Sequence, residues 1–211
     1  MPDPISPPKL TLAEIQRAFN SRAHKAIPSQ DAQRKAAVAV ALHDGTDGLE
    51  MLFIQRAHHP EDPWSGHMAF PGGRQDPEDD STEAAARRET YEEVGLRIAP
   101  DSLLARLSDV TGGRLADFQL SVSPYVYHCP VKHDLVLNHE VAAAVWVPVS
   151  HFSDSANVRE YIFPPDPLRR LFPSFHYQGY TIWGLTYRII VDFMQPLGVS
   201  LPLEWPVTDV E

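Results

Sequence analysis

The sequence predicts an α/β fold in which a mixed sheet is covered by helices on both faces. Apolar runs of strand length recur at 36–42, 50–56, 103–107, 120–127 and 143–147. Helical signals at 81–94 and 181–193 are interleaved with these runs instead of being segregated from them. No internal repeat is visible, so a single layered unit is the economical architecture.

Taken in order, the proline-rich start up to Pro8 reads as an extended lead. A short helix follows over 10–19, with Leu12, Ile15 and Phe19 on one face. A polar stretch to Gln33 completes an N-terminal extension, 1–33. The runs 36–42 and 50–56 flank His43-Asp44-Gly45-Thr46-Asp47-Gly48, whose glycines and aspartates suit a hairpin turn. Residues 67–70 read as a short strand ended by Pro71-Gly72-Gly73. Asp80 and Glu83 have the spacing of a capping box, and Gly95 suits the left-handed position that closes a helix over 81–94. Strands at 103–107, 120–127 and 143–147 and a last helix at 181–193 complete a folded domain over 34–200, leaving 201–211 as a tail. Phe163-Pro164-Pro165-Asp166-Pro167 reads as a rigid loop.

Composition narrows the function. With 43% hydrophobic and 22% charged residues the chain is of globular type. A formal charge of −10 disfavours long nucleic acid, whose binding depends on many Lys and Arg contacts to phosphates. A small anionic substrate remains compatible if a cation bridges it to protein carboxylates. Cys129 is the only cysteine, so no intrachain disulfide forms; in a largely apolar strand it reads as a small buried side chain. The N-terminus lacks the pattern of a signal peptide, and the apolar stretch 181–203 is broken by Arg188 and Asp192. A cytoplasmic protein without membrane insertion is expected.

The chemistry concentrates between Asp76 and Glu93, where eight acids stand against only Arg87 and Arg88. Glu89 lies three residues before Glu92 and four before Glu93, so the three carboxylates occupy neighbouring positions on one side of a helix. Repulsion costs roughly 0.2–0.5 kcal/mol per exposed pair, and a divalent cation removes it. Carboxylate oxygens suit hard cations, which share their shell with substrate phosphates. A solvated helix face with Glu83–Arg87 and Arg88–Glu92 pairs is the plain alternative for such a segment.

The residues around that helix decide between the two. Gly72-Gly73-Arg74 through Arg88-Glu89-Thr90-Tyr91-Glu92-Glu93-Val94-Gly95-Leu96 resembles the Nudix box, the loop–helix–loop motif of the Nudix hydrolases. The resemblance implies a Nudix-type α/β/α sandwich and Mg²⁺ or Mn²⁺ bound by Glu89, Glu92 and Glu93, with Arg88 holding the helix face. Asp80 and Arg74 stand where the consensus has glutamate and glycine, and a one-residue loop expansion accounts for the offset. Water must be brought to an anionic phosphorus, and a carboxylate takes its proton. Glu92 or Glu93 is the first candidate for that base and Glu140 the second.

Upstream, Leu52-Phe53-Ile54-Gln55-Arg56-Ala57 and Gly66-His67-Met68-Ala69-Phe70-Pro71-Gly72-Gly73 resemble the motif preceding the box in coenzyme A pyrophosphatases, as does Ile182-Trp183-Gly184-Leu185-Thr186 near the end. This resemblance implies coenzyme A or an acyl-CoA as substrate, cut to a phosphopantetheine and adenosine 3′,5′-bisphosphate. ADP-ribose, NADH or another nucleotide is the alternative, and a non-catalytic nucleotide-binding module the more distant one. Arg56 and Arg74 flank the site and, with Gly73, are expected to meet the substrate, since a planar guanidinium pairs with phosphate. Trp183, Tyr187 and Phe193 are expected in the core rather than stacked on a base. Homodimerisation is an expectation from the resemblance alone.

Overall fold

A computed structural model describes residues 10–20, 22–27, 34–60, 62, 64–111, 120–164 and 169–204. The extended lead up to Pro8 lies outside them, as do parts of the polar linker, the 163–167 loop and the C-terminal tail. The main sheet contains β1 (Arg34–Gly45), β2 (Gly48–Arg56), β3 (Met68–Ala69), β4 (Gly72–Arg74), β5 (Leu103–Arg106), β6 (Val110–Thr111), β7 (Leu120–His128) and β8 (Val141–Pro148). Its main path runs β3-β2-β1-β7-β5, with β4 on β1, β6 on β7 and β8 on β2. The β1–β7 pair is parallel and the other pairs antiparallel, so the sheet is mixed as predicted.

Alternation along β1 explains the layers. Ala36, Val40 and Leu42 enter one core, with Met51 and Phe53 of β2 beside them. Ala37, Ala39 and Ala41 enter the other, with Leu52 and Ile54. Successive strand residues face opposite sides, so a strand covered on both faces reads as a continuous apolar run. The first core is closed by helices α1 (Leu12–Phe19) and α3 (Gly184–Met194), through Ile15, Phe19, Tyr187, Ile190 and Phe193. On the opposite face α2 (Thr82–Val94) contributes Ala86 and Val94, followed by Leu96 and Ile98. The small alanines of β1 on that face let α2 lie close to the sheet.

Several boundaries differ from the sequence reading. Thr11 caps α1 in a full capping box with Glu14, so the helix starts at Leu12. The N-cap of α2 is Ser81, whose side chain accepts from the Ala84 N–H; Asp80 and Glu83 form no capping box. Glu83 instead accepts from the Tyr127 hydroxyl at 2.8 Å and from Arg87 Nε at 2.8 Å, which ties the helix to β7. Gly95, at φ 71°, ends α2 as expected.

The last helix starts three residues later than its apolar pattern suggests. Residues Tyr180–Trp183 form β11, paired with β10 (Leu171–Tyr177), which also pairs with β9 (Val158–Ile162) in a second, three-stranded sheet. Trp183 is therefore the extended N-cap residue of α3, not part of the helix, and Gly184 at φ 65° makes the turn. Pro173 masks β10 in the sequence. It is tolerated because β11 pairs only from Ser174 onward, leaving Pro173 with a neighbour on one side alone. Asp192, which interrupts the apolar run of α3, accepts from the Ser108 N–H at 2.9 Å and pairs with Arg22. Among the described residues no helix is long and apolar enough to cross a membrane.

Candidate active site

The site is built where α2 meets β4. Gly72 has φ 148°, and a Cβ there would stand 2.2 Å from the Ala37 carbonyl oxygen and 2.6 Å from Val38 Cα. Only glycine fits. The close approach aims the Gly72 N–H at Glu93, whose Oε2 accepts it at 2.8 Å. Gly73 serves the neighbouring carboxylate, since a Cβ on it would lie 2.4 Å from Glu89 Cδ.

The three glutamates form a gradient from interior to surface. Glu93 is 3% exposed, and the side chains of Glu89 and Glu92 are 19% and 51% exposed. Burial pushes the Glu93 carboxyl up to about 8, with Glu89 and Glu140 adding repulsion against the pull of the Gly72 N–H and Arg56. Burial likewise raises Glu89, aided by Glu92 and Glu140 and opposed by Arg88. The interior end of the helix face is thus short of positive charge.

Arg88 organises the outer end. Its Nε and Nη2 engage Asp79 Oδ1 and Oδ2 at 3.0 and 2.8 Å, and Nη2 also reaches the Arg74 carbonyl oxygen at 3.1 Å. Nη1 lies 3.1 Å from both Glu89 Oε1 and Glu92 Oε2. Asp79, with a side chain only 7% exposed, is held well below the usual aspartate range by those Arg88 hydrogen bonds. Sequence reasoning gave weight to Asp80 and missed Asp79. No periodic signal marks it, because it is aimed by a turn in which its side chain accepts from the Asp76 N–H at 2.8 Å.

The other expected residues are distributed around this centre. The Glu140 side chain is 59% exposed and its charge acts on both Glu89 and Glu93, while its carbonyl oxygen accepts from the Ala57 N–H at 2.7 Å. Arg56 lies near enough to favour the ionised form of Glu93, but its Nη2 pairs with Asp62 at 2.7 Å. Arg74 is exposed, and among the described residues its side chain has no ion-pair partner within reach. The plain alternative is also represented, because the Glu83–Arg87 and Arg88–Glu92 pairs are both made. Cys129 is buried, and burial pushes its thiol up to about 11, so it is no nucleophile at neutral pH.

The donor set is all carboxylate, as a hard divalent cation requires. Among the described residues no three acidic, His or Cys side chains already converge on a common point, and Arg88 Nη1 stands between Glu89 and Glu92. The residues fit a cation in chemistry, three carboxylates on one side of α2.

The Nudix domain family matches residues 33–166. This chain belongs to the Nudix family. An uncharacterized Nudix hydrolase, NudL of Enterobacter sp. (strain 638), is 33% identical over 179 residues, covering 80% of this chain and 85% of the relative. The peroxisomal coenzyme A diphosphatase ndx-8 of Caenorhabditis elegans is 30% identical over 161 residues, covering 73% of this chain and 64% of that protein. Several curated relatives are longer than the Nudix chain described here, whose matches span 40%, 63% and 53% of three of them. The crystal structure of a MutT/nudix family protein from Enterococcus faecalis shares the fold, with TM-score 0.51 and 17% identity over 90% of this chain and 75% of that one. In this Nudix fold α2 carries the box carboxylates and β4 the box glycines.

Proposed function

We propose that this Nudix protein is a divalent-metal-dependent pyrophosphohydrolase that cuts a nucleoside diphosphate derivative, with coenzyme A or an acyl-CoA as its substrate. The observation that carries the reading is the buried Glu93 carboxyl on the Gly72 N–H, beside Glu89 and with Glu92 toward solvent. The coenzyme A part is supported by the 52–57 and 66–73 segments and by the printed name of the ndx-8 relative.

Glu89, Glu92 and Glu93 would hold the cation, Mg²⁺ or Mn²⁺. When bound, it supplies charge neutralisation at the diphosphate and Lewis-acid polarisation of phosphoryl oxygens. Gly72 fixes Glu93 through Oε2, and Gly73 leaves room for Glu89. Arg88 holds the outer carboxylates in register with the 75–81 loop through Asp79. With three glutamates committed to the cation, Glu140 is the residue that takes the proton of the attacking water, at a carboxylate oxygen. Arg56 and the exposed Arg74 bind the nonbridging oxygens, Arg56 through Nη1 while Asp62 holds its Nε and Nη2. The active unit is the 34–200 domain.

Coenzyme A, ADP-ribose and NADH are incubated separately with the protein and Mg²⁺ or Mn²⁺, and products identified by mass spectrometry. The expected result is conversion of coenzyme A to phosphopantetheine and adenosine 3′,5′-bisphosphate, abolished in Glu92→Gln. Cleavage of ADP-ribose or NADH alone overturns the substrate assignment, and no cleavage of any overturns the enzyme in favour of a nucleotide-binding module.

A further inference from the structure

One group of side chains plays no part in the chemistry above. Trp64 and Phe163 present nearly parallel rings, 17° apart with centroids separated by 6.4 Å. The His67 ring meets both edge-on, at 5.7 Å and 67° from Trp64 and at 5.4 Å and 84° from Phe163. Behind them Trp183 packs on His67 at 5.1 Å and on Phe163 at 4.9 Å. The back of the group is core, with Trp183 only 9% exposed, whereas Trp64 is 44% exposed. A tryptophan kept in water at the rim of a packed aromatic group gains little for the fold and offers an unused ring face.

A flat ring stacks on the exposed face of Trp64, whose inner side meets Phe163. The loop that carries Trp64 is pinned, since Asp62 Oδ1 accepts from the Trp64 N–H at 3.0 Å while Asp62 Oδ2 holds Arg56. The Arg56 N–H in turn donates to the His67 carbonyl oxygen at 3.0 Å. From His67 the chain runs through β3 to Gly72, at most about 17 Å of extended backbone. Arg56 thus adjoins His67 through the backbone and lies near enough to Glu93 to favour its ionised form.

We propose that Trp64, Phe163 and His67 form the receptor for the heteroaromatic base of the substrate's nucleoside, with Arg56 bridging from base to diphosphate. This rests on the nucleotide-hydrolase reading above. Stacking suits any base, so the receptor gives affinity for the nucleoside without reading its hydrogen-bonding edge.

The test uses the full chain with Mg²⁺ and two uncleavable probes. One is adenosine 5′-(α,β-methylene)diphosphate and the other methylenediphosphonate, which has the same bridge without a nucleoside. Trp64→Ala and Phe163→Ala are each expected to weaken the nucleotide probe about ten-fold or more and to leave methylenediphosphonate unchanged, with Trp64→Phe restoring most of the loss. Unchanged binding of the nucleotide probe in both variants overturns the proposal, as does equal weakening of both probes or a wild type that binds the two alike. Trp64 is at the surface, so its truncation leaves no cavity, and retained methylenediphosphonate binding reports an intact site. Hydrolysis of a diphosphate by a wild type whose affinities fail this pattern rejects the receptor and keeps the enzyme. A normal pattern without hydrolysis does the reverse.

Discussion

Arg88 and Asp79 form a two-point ion pair, Nε to Oδ1 at 3.0 Å and Nη2 to Oδ2 at 2.8 Å, across the 75–81 loop. The pair couples the loop to the carboxylate face of α2, because the remaining Nη1 reaches Glu89 and Glu92. Removing the aspartate would leave a partly buried guanidinium held by the Arg74 carbonyl oxygen, by Asp76 at 3.5 Å and by the two proposed metal ligands.

Asp79→Ala is therefore expected to cost about 1–3 kcal/mol of stability, the range for a charge-assisted hydrogen bond lost at a shielded site. It should also reduce turnover by at least about ten-fold, as loss of an outer-shell partner does at a metal site. Denaturant melts and steady-state rates measure the two effects, and an Asp79→Ala protein with full activity would remove Arg88's positioning role.

Gly73→Ala separates fold from function. The added Cβ meets the end of the Glu89 side chain at 2.4 Å, and that flexible end moves while the backbone stays. The expected outcome is a melting temperature near wild type with Mg²⁺ affinity lowered about 10–100-fold, the size of losing ligand positioning. Calorimetric Mg²⁺ titration checks it.

The raised Glu93 carboxyl gives the metal-free protein a definite pH dependence. The group ionises at about 8 when folded, against an ordinary glutamate value of 4.5. Between these values the folded state holds the extra proton, so the stabilisation is complete below the lower value and is lost as pH rises toward the upper one. The slope is at most about 1.4 kcal/mol per pH unit. Melts from acid to pH about 9 in chelator should show this decline, and Glu93→Gln or saturating Mg²⁺ should flatten it. An unchanged profile in Glu93→Gln would contradict the assignment.

Glu140→Gln and Glu93→Gln should differ in kind. The first is expected to lower kcat about 10²–10⁴-fold, the range for general-base removal, with Mn²⁺ affinity unchanged. The second should weaken Mn²⁺ binding itself. If Glu140→Gln retains full kcat, the base lies on the helix, at Glu92 or Glu93.

Much of this site was legible in sequence because helix spacing is rigid. The separations of Glu89, Glu92 and Glu93 place them on one side of α2 whatever else the chain does, and Gly95 ends the helix where its left-handed backbone permits. Relative burial was not legible, because it depends on β4 lying against Glu93 through a glycine contact made across the sheet. The Asp79 pairing was hidden for a similar reason, since the turn that aims it has no fixed period. The second sheet went unseen because Pro173 breaks the strand pattern and because the apolar residues of β11 continue smoothly into α3. The aromatic group joins residues from 64 to 183, a distance in sequence that local patterns do not span.

In the proposed mechanism the α2 carboxylates hold the cation on which diphosphate cleavage depends. The most direct test is a Mn²⁺ titration followed by electron paramagnetic resonance, run beside coenzyme A turnover, for the wild type and Glu89→Gln. Saturable Mn²⁺ binding and turnover are expected in the wild type, with both lost together in the variant. Turnover that persists in Glu89→Gln, or Mn²⁺ binding unaffected by it, would place the catalytic cation elsewhere.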